Sequence, residues 1–187
     1  MERSAEGKSE YFDGEVFAMA GGTERHSLVA TNVTAELRGA LRKAGKDCRT
    51  YNSDLRVQIP QTQLRTYPDA SVICGPAEFD AEDEEKTTVS NPTVLVEVLS
   101  PSTESYDRGK KFQHYQTLAS LQEYVIVSQA EPKVETFLRQ ANGTWRYTCV
   151  TGLGVSIALE SLGIEVLMDE IYAGVVFDES PTLRLVK

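Results

Sequence analysis

In the stretch Thr93-Val94-Leu95-Val96-Glu97-Val98-Leu99 the side chains that would face either side of a β-strand are apolar, with Glu97 the exception. A strand that is apolar on both faces belongs inside a sheet covered on both sides. The covers have to be other layers of secondary structure, which sets the fold class as α/β. Glu97 is the anomaly. Taking an ionised carboxylate out of water without compensation costs several kcal/mol, so Glu97 must be paired with an Arg or Lys, protonated, or bound to a cation.

Outward from that strand, the order of elements follows from periodicity and breakers. Upstream, Tyr67 to Cys74 reads as a strand with Pro68 tolerated at its start and Asp69 at its mouth. The polar, acidic connection Asp80 to Glu85 reads as a solvated loop, so the two strands can be sheet neighbours with Asp69 close to Glu97. Two carboxylates at one edge repel unless a divalent cation sits between them, and hard oxygen donors suit magnesium or manganese. Between Thr23 and Ala44, Val29, Val33, Leu37 and Leu41 recur every four residues, with Thr23 as N-cap and Gly45 as stop, which predicts an amphipathic helix. Cys48 to Ile59 reads as a strand, Ser105 to Leu118 as a second helix and Glu123 to Ser128 as a buried strand. Val134 to Leu138 and Trp145 to Val150 flank Asn142-Gly143, a hairpin signal. The whole predicts one α/β domain with a mixed sheet covered by helices on at least one face.

The second helix adds positive charge. Lys111 and Tyr115 share one helical face, Lys110 and His114 the adjoining one. If Phe112 and Tyr115 pack on the sheet, Lys111 lies along its edge towards the carboxylates, its stem buried and its ammonium free. The plainer alternative leaves both lysines in solvent. For Glu97 the plainer alternative is a structural ion pair, with Asp54 and Arg56 another candidate pair on the preceding strand.

Composition bounds the function. The chain has 187 residues and 28 acidic against 19 basic side chains, for a net charge of -9, with a pI near 4.8 and a mean hydropathy of -0.30. No stretch approaches the roughly 20 apolar residues of a membrane span, and the polar start has no signal-peptide core, so a cytoplasmic protein without a membrane anchor is expected. The acidity disfavours coating nucleic acid by bulk electrostatics but leaves room for a local, metal-bearing contact. Three cysteines, Cys48, Cys74 and Cys149, are widely spaced and odd in number, which argues for small core hydrophobes and against a disulfide framework or a zinc site.

Asp69, Glu97 and Lys111 resemble the active-site set of the PD-(D/E)XK nuclease superfamily, and the chain resembles the Uma family of putative restriction endonucleases within it. The resemblance runs from Tyr11 to Phe177, through Tyr11-Phe12-Asp13-Gly14-Glu15, Arg25-His26, Ser53 to Val57, Tyr67-Pro68-Asp69, Val96 to Thr103, Asp107 to Tyr115 and Glu123-Tyr124. Glu97-Val98-Leu99-Ser100-Pro101-Ser102-Thr103 is its most specific piece. The superfamily pattern puts a lysine two residues after the second acid, where this chain has Leu99; Lys111 from the following helix matches the family's relocated lysine. The resemblance implies a single restriction-endonuclease-like domain over residues 1–187 with poorly ordered ends: a mixed β-sheet flanked by helices. It also implies a Mg2+ (or Mn2+) ion held by Asp69, Glu97 and the backbone carbonyl of Val98, with Lys111 orienting the attacking water or neutralising the phosphate. DNA is the implied substrate and a homodimer the implied assembly. Glu15 and His26 are further candidates, Glu15 as an extra ligand and His26 as a phosphate contact or proton shuttle. The rival reading is a catalytically inactive nuclease-like module for binding or assembly, favoured by Leu99 and by the net charge.

Overall fold

Val29, Val33, Leu37 and Leu41 are the four buried positions of a twenty-residue helix, Glu24–Lys43. Its first turn is capped as expected: the Thr23 side chain accepts a hydrogen bond from the His26 backbone N–H. Its end is closed by Gly45 at φ 64°, a left-handed position that lets the Lys46 N–H reach back to the Leu41 carbonyl at 3.0 Å.

The computed structural model describes residues 22–80 and 83–177 in full, and residues 9–12 and 15–18 by their backbone. In chain order the elements are β1 (Ser9–Phe12), β2 (Glu15–Ala18), α1 (Glu24–Lys43), β3 (Cys48–Asn52), β4 (Arg56–Ile59), β5 (Leu64–Thr66), β6 (Ala70–Cys74), β7 (Thr88–Val89) and β8 (Val94–Leu99). Then come α2 (Glu104–Tyr106), a π-helical turn (Asp107–Lys111), α3 (Phe112–Gln116), β9 (Glu123–Ser128), β10 (Lys133–Arg139), β11 (Trp145–Thr151), β12 (Ser156–Leu159), β13 (Ile164–Leu167) and α4 (Met168–Ile171).

The central sheet has the order β11-β10-β9-β8-β6-β3, with β8 and β9 parallel and every other pair antiparallel. A parallel pair needs a crossover, and the helical segment from Glu104 to Gln116 supplies it. β8 lies third from one edge and is buried along its whole length, as its two apolar faces require. Val94, Val96 and Val98 pack under α1 and the β12–β13 hairpin, while Leu95 and Leu99 face a second cluster with Phe112, Tyr115 and Tyr124. A smaller sheet, β2-β1-β5-β4-β7, adds Val57, Ile59, Leu64 and Val89 to that second cluster. The expected mixed sheet flanked by helices is thus the architecture found.

Two expectations need correction. Cys48 to Ile59 is two strands in two sheets, because Asn52 accepts from the Asp54 N–H at 3.1 Å and turns the chain between them. Cys48 and Cys74 are joined as a disulfide, and Cys149 is exposed. The cause is register: β3 and β6 pair Cys48 with Cys74 between the Asp47 carbonyl and the Gly75 N–H, a narrow position where the Cα atoms approach to 4.0 Å. Spacing along the chain does not reveal a partner chosen across a sheet. Closing a loop with a sequence separation of 26 should stabilise the fold by about 3 kcal/mol. Urea unfolding with and without dithiothreitol measures it; coincident transitions would mean that the two sulfurs are not joined.

Candidate active site

The register of β6 on β8 sets Ala70 opposite Val96, so Asp69, one residue before β6, continues the ladder opposite Glu97. Side chains directly opposite share a face. Asp69 Oδ2 accepts the Val98 N–H at 2.7 Å and lies 3.4 Å from His26 Nε2. The His26 ring also donates to the Val98 carbonyl, and its pKa is raised, first by the hydrogen bond to Asp69, against the opposing effect of burial. His26 reaches this place because α1 begins beside the ends of β8 and β9. Gln129, just past β9, donates to the Leu99 carbonyl at 2.8 Å and accepts from the Thr23 hydroxyl at 2.7 Å. From Thr23 the bonding continues to the His26 N–H, and from the His26 ring to Asp69 and back to Val98. This closed circuit leaves and re-enters β8 at consecutive residues.

Glu97 Oε1 accepts the Tyr115 hydroxyl at 2.6 Å and lies 2.9 Å from Lys111 Nζ. Burial pushes the Glu97 pKa up to about 8; Lys111 works against this, and the nearby Asp107 and Asp69 carboxylates add to it. Lys111 Nζ is also 3.4 Å from Asp107 Oδ1, and all three side chains are at most 5% exposed. Asp107 is raised too, again chiefly by burial. Its backbone carbonyl accepts the buried Tyr124 hydroxyl at 3.1 Å. The π-helical turn spans Asp107 to Lys111, so one widened turn carries both ends of an ion pair against the sheet.

The structure therefore brings Asp69, Glu97, Lys111, His26 and the Val98 carbonyl together. The helix turned as expected, with Phe112 and Tyr115 buried and Lys110 exposed. The Lys111 ammonium, expected to be free, is held between two carboxylates. Of the other candidate pair, Arg56 donates to the Thr88 hydroxyl at 2.8 Å and Asp54 accepts from the Asn52 amide at 3.0 Å. Glu15 has its backbone in β2, and its side chain lies outside the described residues. Leu99, in the position where the superfamily pattern has lysine, is buried in the second apolar cluster. Asp107, Tyr115 and Gln129 were not among the expected site residues. Asp107 and Tyr115 carried a usable signal, since positions 107, 111 and 115 repeat at four residues on one helical face; Gln129 had none.

Among the described residues no three side chains of the carboxylate, imidazole or thiolate kind form a ready metal cage. The donor set is instead two carboxylates and a carbonyl, all hard oxygens. Among the described residues Asp69 makes its bonds through Oδ2 and Glu97 through Oε1, which leaves Oδ1 and Oε2 as donor atoms. Magnesium is commonly bound by one or two carboxylates, with water and substrate oxygens completing its shell, so the residues fit that ion.

Comparison with known proteins agrees with this architecture. The sequence model of the family Uma2, described as "Putative restriction endonuclease", matches residues 1–169. Uncharacterized protein slr1290 of Synechocystis sp. is 38% identical over 173 residues, covering 91% of this chain and 86% of its own length. Uncharacterized protein sll1609 of the same organism is 30% identical over 163 residues, covering 87% and 90%. A crystal structure from Anabaena variabilis ATCC 29413, titled a putative nuclease belonging to DUF820, superposes with a TM-score of 0.69 at 17% identity, covering 92% of this chain and 93% of that one. At that identity the likeness establishes the fold.

Proposed function

The chain belongs to the Uma2 family, and from that premise we propose that it is a magnesium- or manganese-dependent endonuclease hydrolysing phosphodiester bonds in DNA, with Asp69, Glu97 and Lys111 as its catalytic residues. One observation carries the reading: a glutamate inside an otherwise apolar strand is met by an aspartate from the neighbouring strand and a lysine from the following helix. Asp69, Glu97 and the Val98 carbonyl would hold the cation. Bound there, a divalent ion would supply an acidified water and stabilise the charge growing on the phosphate. Lys111 orients the water or neutralises the phosphate, and His26, beside Asp69, contacts the phosphate or moves a proton. Glu15 is carried in this proposal as a candidate for an additional ligand, on the family resemblance alone. With a net charge of -9, the contact with DNA is local, and a homodimer brings one site to each strand of a duplex.

No helix among the described residues is long and apolar enough to cross a membrane. We place the protein in the cytoplasm, where DNA is accessible and where the Cys48–Cys74 disulfide is exposed to reduction.

The second reading, a non-catalytic binding or assembly module, is favoured by the buried engagement of Lys111 with Glu97 and Asp107 and by Leu99 in the core. Nicking of supercoiled plasmid separates the two. The nuclease reading expects cleavage with magnesium or manganese, none with EDTA, and a loss of about a hundredfold or more in Asp69→Asn. Cleavage unaffected by Asp69→Asn would move the chemistry elsewhere, and no cleavage together with no manganese binding would leave the module reading.

A further inference from the structure

β11 lies at an edge of the central sheet, and no described strand pairs with its outer side. Two bonds of 2.8 Å, from the Gly152 N–H to the Pro132 carbonyl and from the Gln140 N–H to the Thr144 carbonyl, fix the phase of the β10–β11 ladder. Even-numbered residues of β11 therefore bond to β10, while Trp145, Tyr147, Cys149 and Thr151 turn their N–H and C=O groups outward. Natural sheets guard such an edge with charges, proline, bulges or a cover, because it is a template for another strand. This edge is seven residues long, in unbroken register, without proline. Its single charge, Arg146, is already paired with Glu160. Rich in aromatic and β-branched residues, Trp-Arg-Tyr-Thr-Cys-Val-Thr has the composition of a paired strand. Tyr147 packs on Phe137 with ring centroids 5.3 Å apart and donates to Glu135 at 2.6 Å, yet this anchored side chain stays 52% exposed.

We propose that β11 is the interface between two copies of this chain, paired antiparallel about a two-fold axis at Thr148. The outward groups belong to odd-numbered residues in both copies, so only registers that pair odd with odd close the hydrogen bonds. Pairing about Thr148 is such a register, and it matches the whole strand: Trp145 with Thr151, Arg146 with Val150, Tyr147 with Cys149. Thr148 meets itself, a favourable cross-strand pair. Around the axis, Tyr147 and Cys149 of both copies cover one another on one face of the joined sheet. Charge selects the same register. Arg146 falls opposite a valine and keeps Glu160, whereas pairing about Arg146 would set two guanidinium groups against each other. A strand that is its own complement in hydrogen bonding, size and charge is suited to a second copy, since one isologous contact closes both edges at once. The proposal gives the homodimer of the functional reading its interface, but it stands on the edge strand alone and uses neither the metal site nor cleavage.

Light scattering of the full chain over a concentration series should show a dimer in equilibrium with monomer. Thr148 is exposed, so Thr148→Lys leaves the monomer's fold alone. It sets two like charges opposite each other at the axis and should weaken dimerisation about tenfold or more. A second measurement reads the register directly. In a Cys149→Ser background, Thr148→Cys should form an intermolecular disulfide under mild oxidation, because a residue that meets itself in a narrow, non-hydrogen-bonded pair brings the two side chains closest. Thr151→Cys in the same background should not, since its neighbour in this register is Trp145 of the other copy. A wild type that stays monomeric at every concentration overturns the proposal and leaves the edge to another occupant. A dimer untouched by Thr148→Lys, or cross-linked equally through positions 148 and 151, overturns it by placing the interface or the register elsewhere. Neither measurement depends on metal or on cleavage, so the nuclease reading stands or falls separately.

Discussion

Glu97→Gln is expected to abolish divalent-cation binding and cleavage while leaving the fold intact. The amide keeps the shape of the side chain and an oxygen for the Tyr115 hydroxyl, and Lys111 retains Asp107. Stability should diverge from wild type in a pH-dependent way. The folded-state pKa of Glu97 is raised from 4.5 to about 8, so the native state holds this proton more tightly than the unfolded chain. Its contribution is therefore fully present below pH 4.5 and is lost as pH rises through about 8. Glutamine has no proton to lose. In EDTA, the stability of Glu97→Gln relative to wild type should rise by a few kcal/mol between about pH 5 and pH 9, because a tenfold difference in proton affinity between the folded and unfolded states is worth roughly 1.4 kcal/mol. Urea unfolding of both proteins at the two pH values measures it. A difference that stays flat would mean that Glu97 is ionised throughout as a structural partner of Lys111, and a variant that fails to fold would say the same more strongly.

Lys111→Ala should have the other large effect, on stability and on rate together. Removing the ammonium leaves the buried Asp107 carboxylate without it, and breaking a buried pair by deleting one partner costs about 3 to 5 kcal/mol. Cleavage should fall about a hundredfold or more, the usual loss for a positioned electrostatic or proton-transfer group. Lys110→Ala is the internal control. Its side chain is exposed and points about 100° away around the helix, so its stability should change by no more than about 0.5 kcal/mol and its rate only slightly. Equal losses from the two lysines, relieved together by added salt, would reduce the helix to a source of diffuse positive charge.

The parts of the molecule that sequence reading reached are those fixed by local pattern. The four-residue spacing of Val29, Val33, Leu37 and Leu41 determines α1 and its buried face, and the apolar run around Glu97 determines that β8 is covered on both sides. β9 and the β10–β11 hairpin follow from equally local signals, with Gly143 at φ 82° in the turn. The parts missed depend on which strand meets which. Cys48 finds Cys74 only through the β3–β6 register, and the β12–β13 hairpin is set by packing against α1 and β9. In the site, the nearness of Asp69 to Glu97 was legible because a buried carboxylate demands compensation, and Lys111 because the family resemblance singled it out. Asp107 lay within the predicted second helix with no role assigned to it, and its burial depends on Lys111 beside it and Tyr124 from β9. Gln129 was silent because its two bonds join residues 30 positions before it and 106 positions before it.

The hydrogen-bonded circuit through Gln129, Thr23, His26 and Asp69 has a consequence for how the protein comes into being. Apart from the local Thr23–His26 bond, each link spans a different pair of segments, so the circuit closes only when α1, β6, β8 and the end of β9 have all arrived. Contacts of such wide sequence separation form late, after the cost of closing the intervening loops has been met. A nascent chain that has emerged only as far as β8 has Asp69 and Glu97 but neither Lys111 nor Gln129. Whatever chemistry the site performs is thus withheld from fragments and half-folded chains, and it is switched on by completion of the fold.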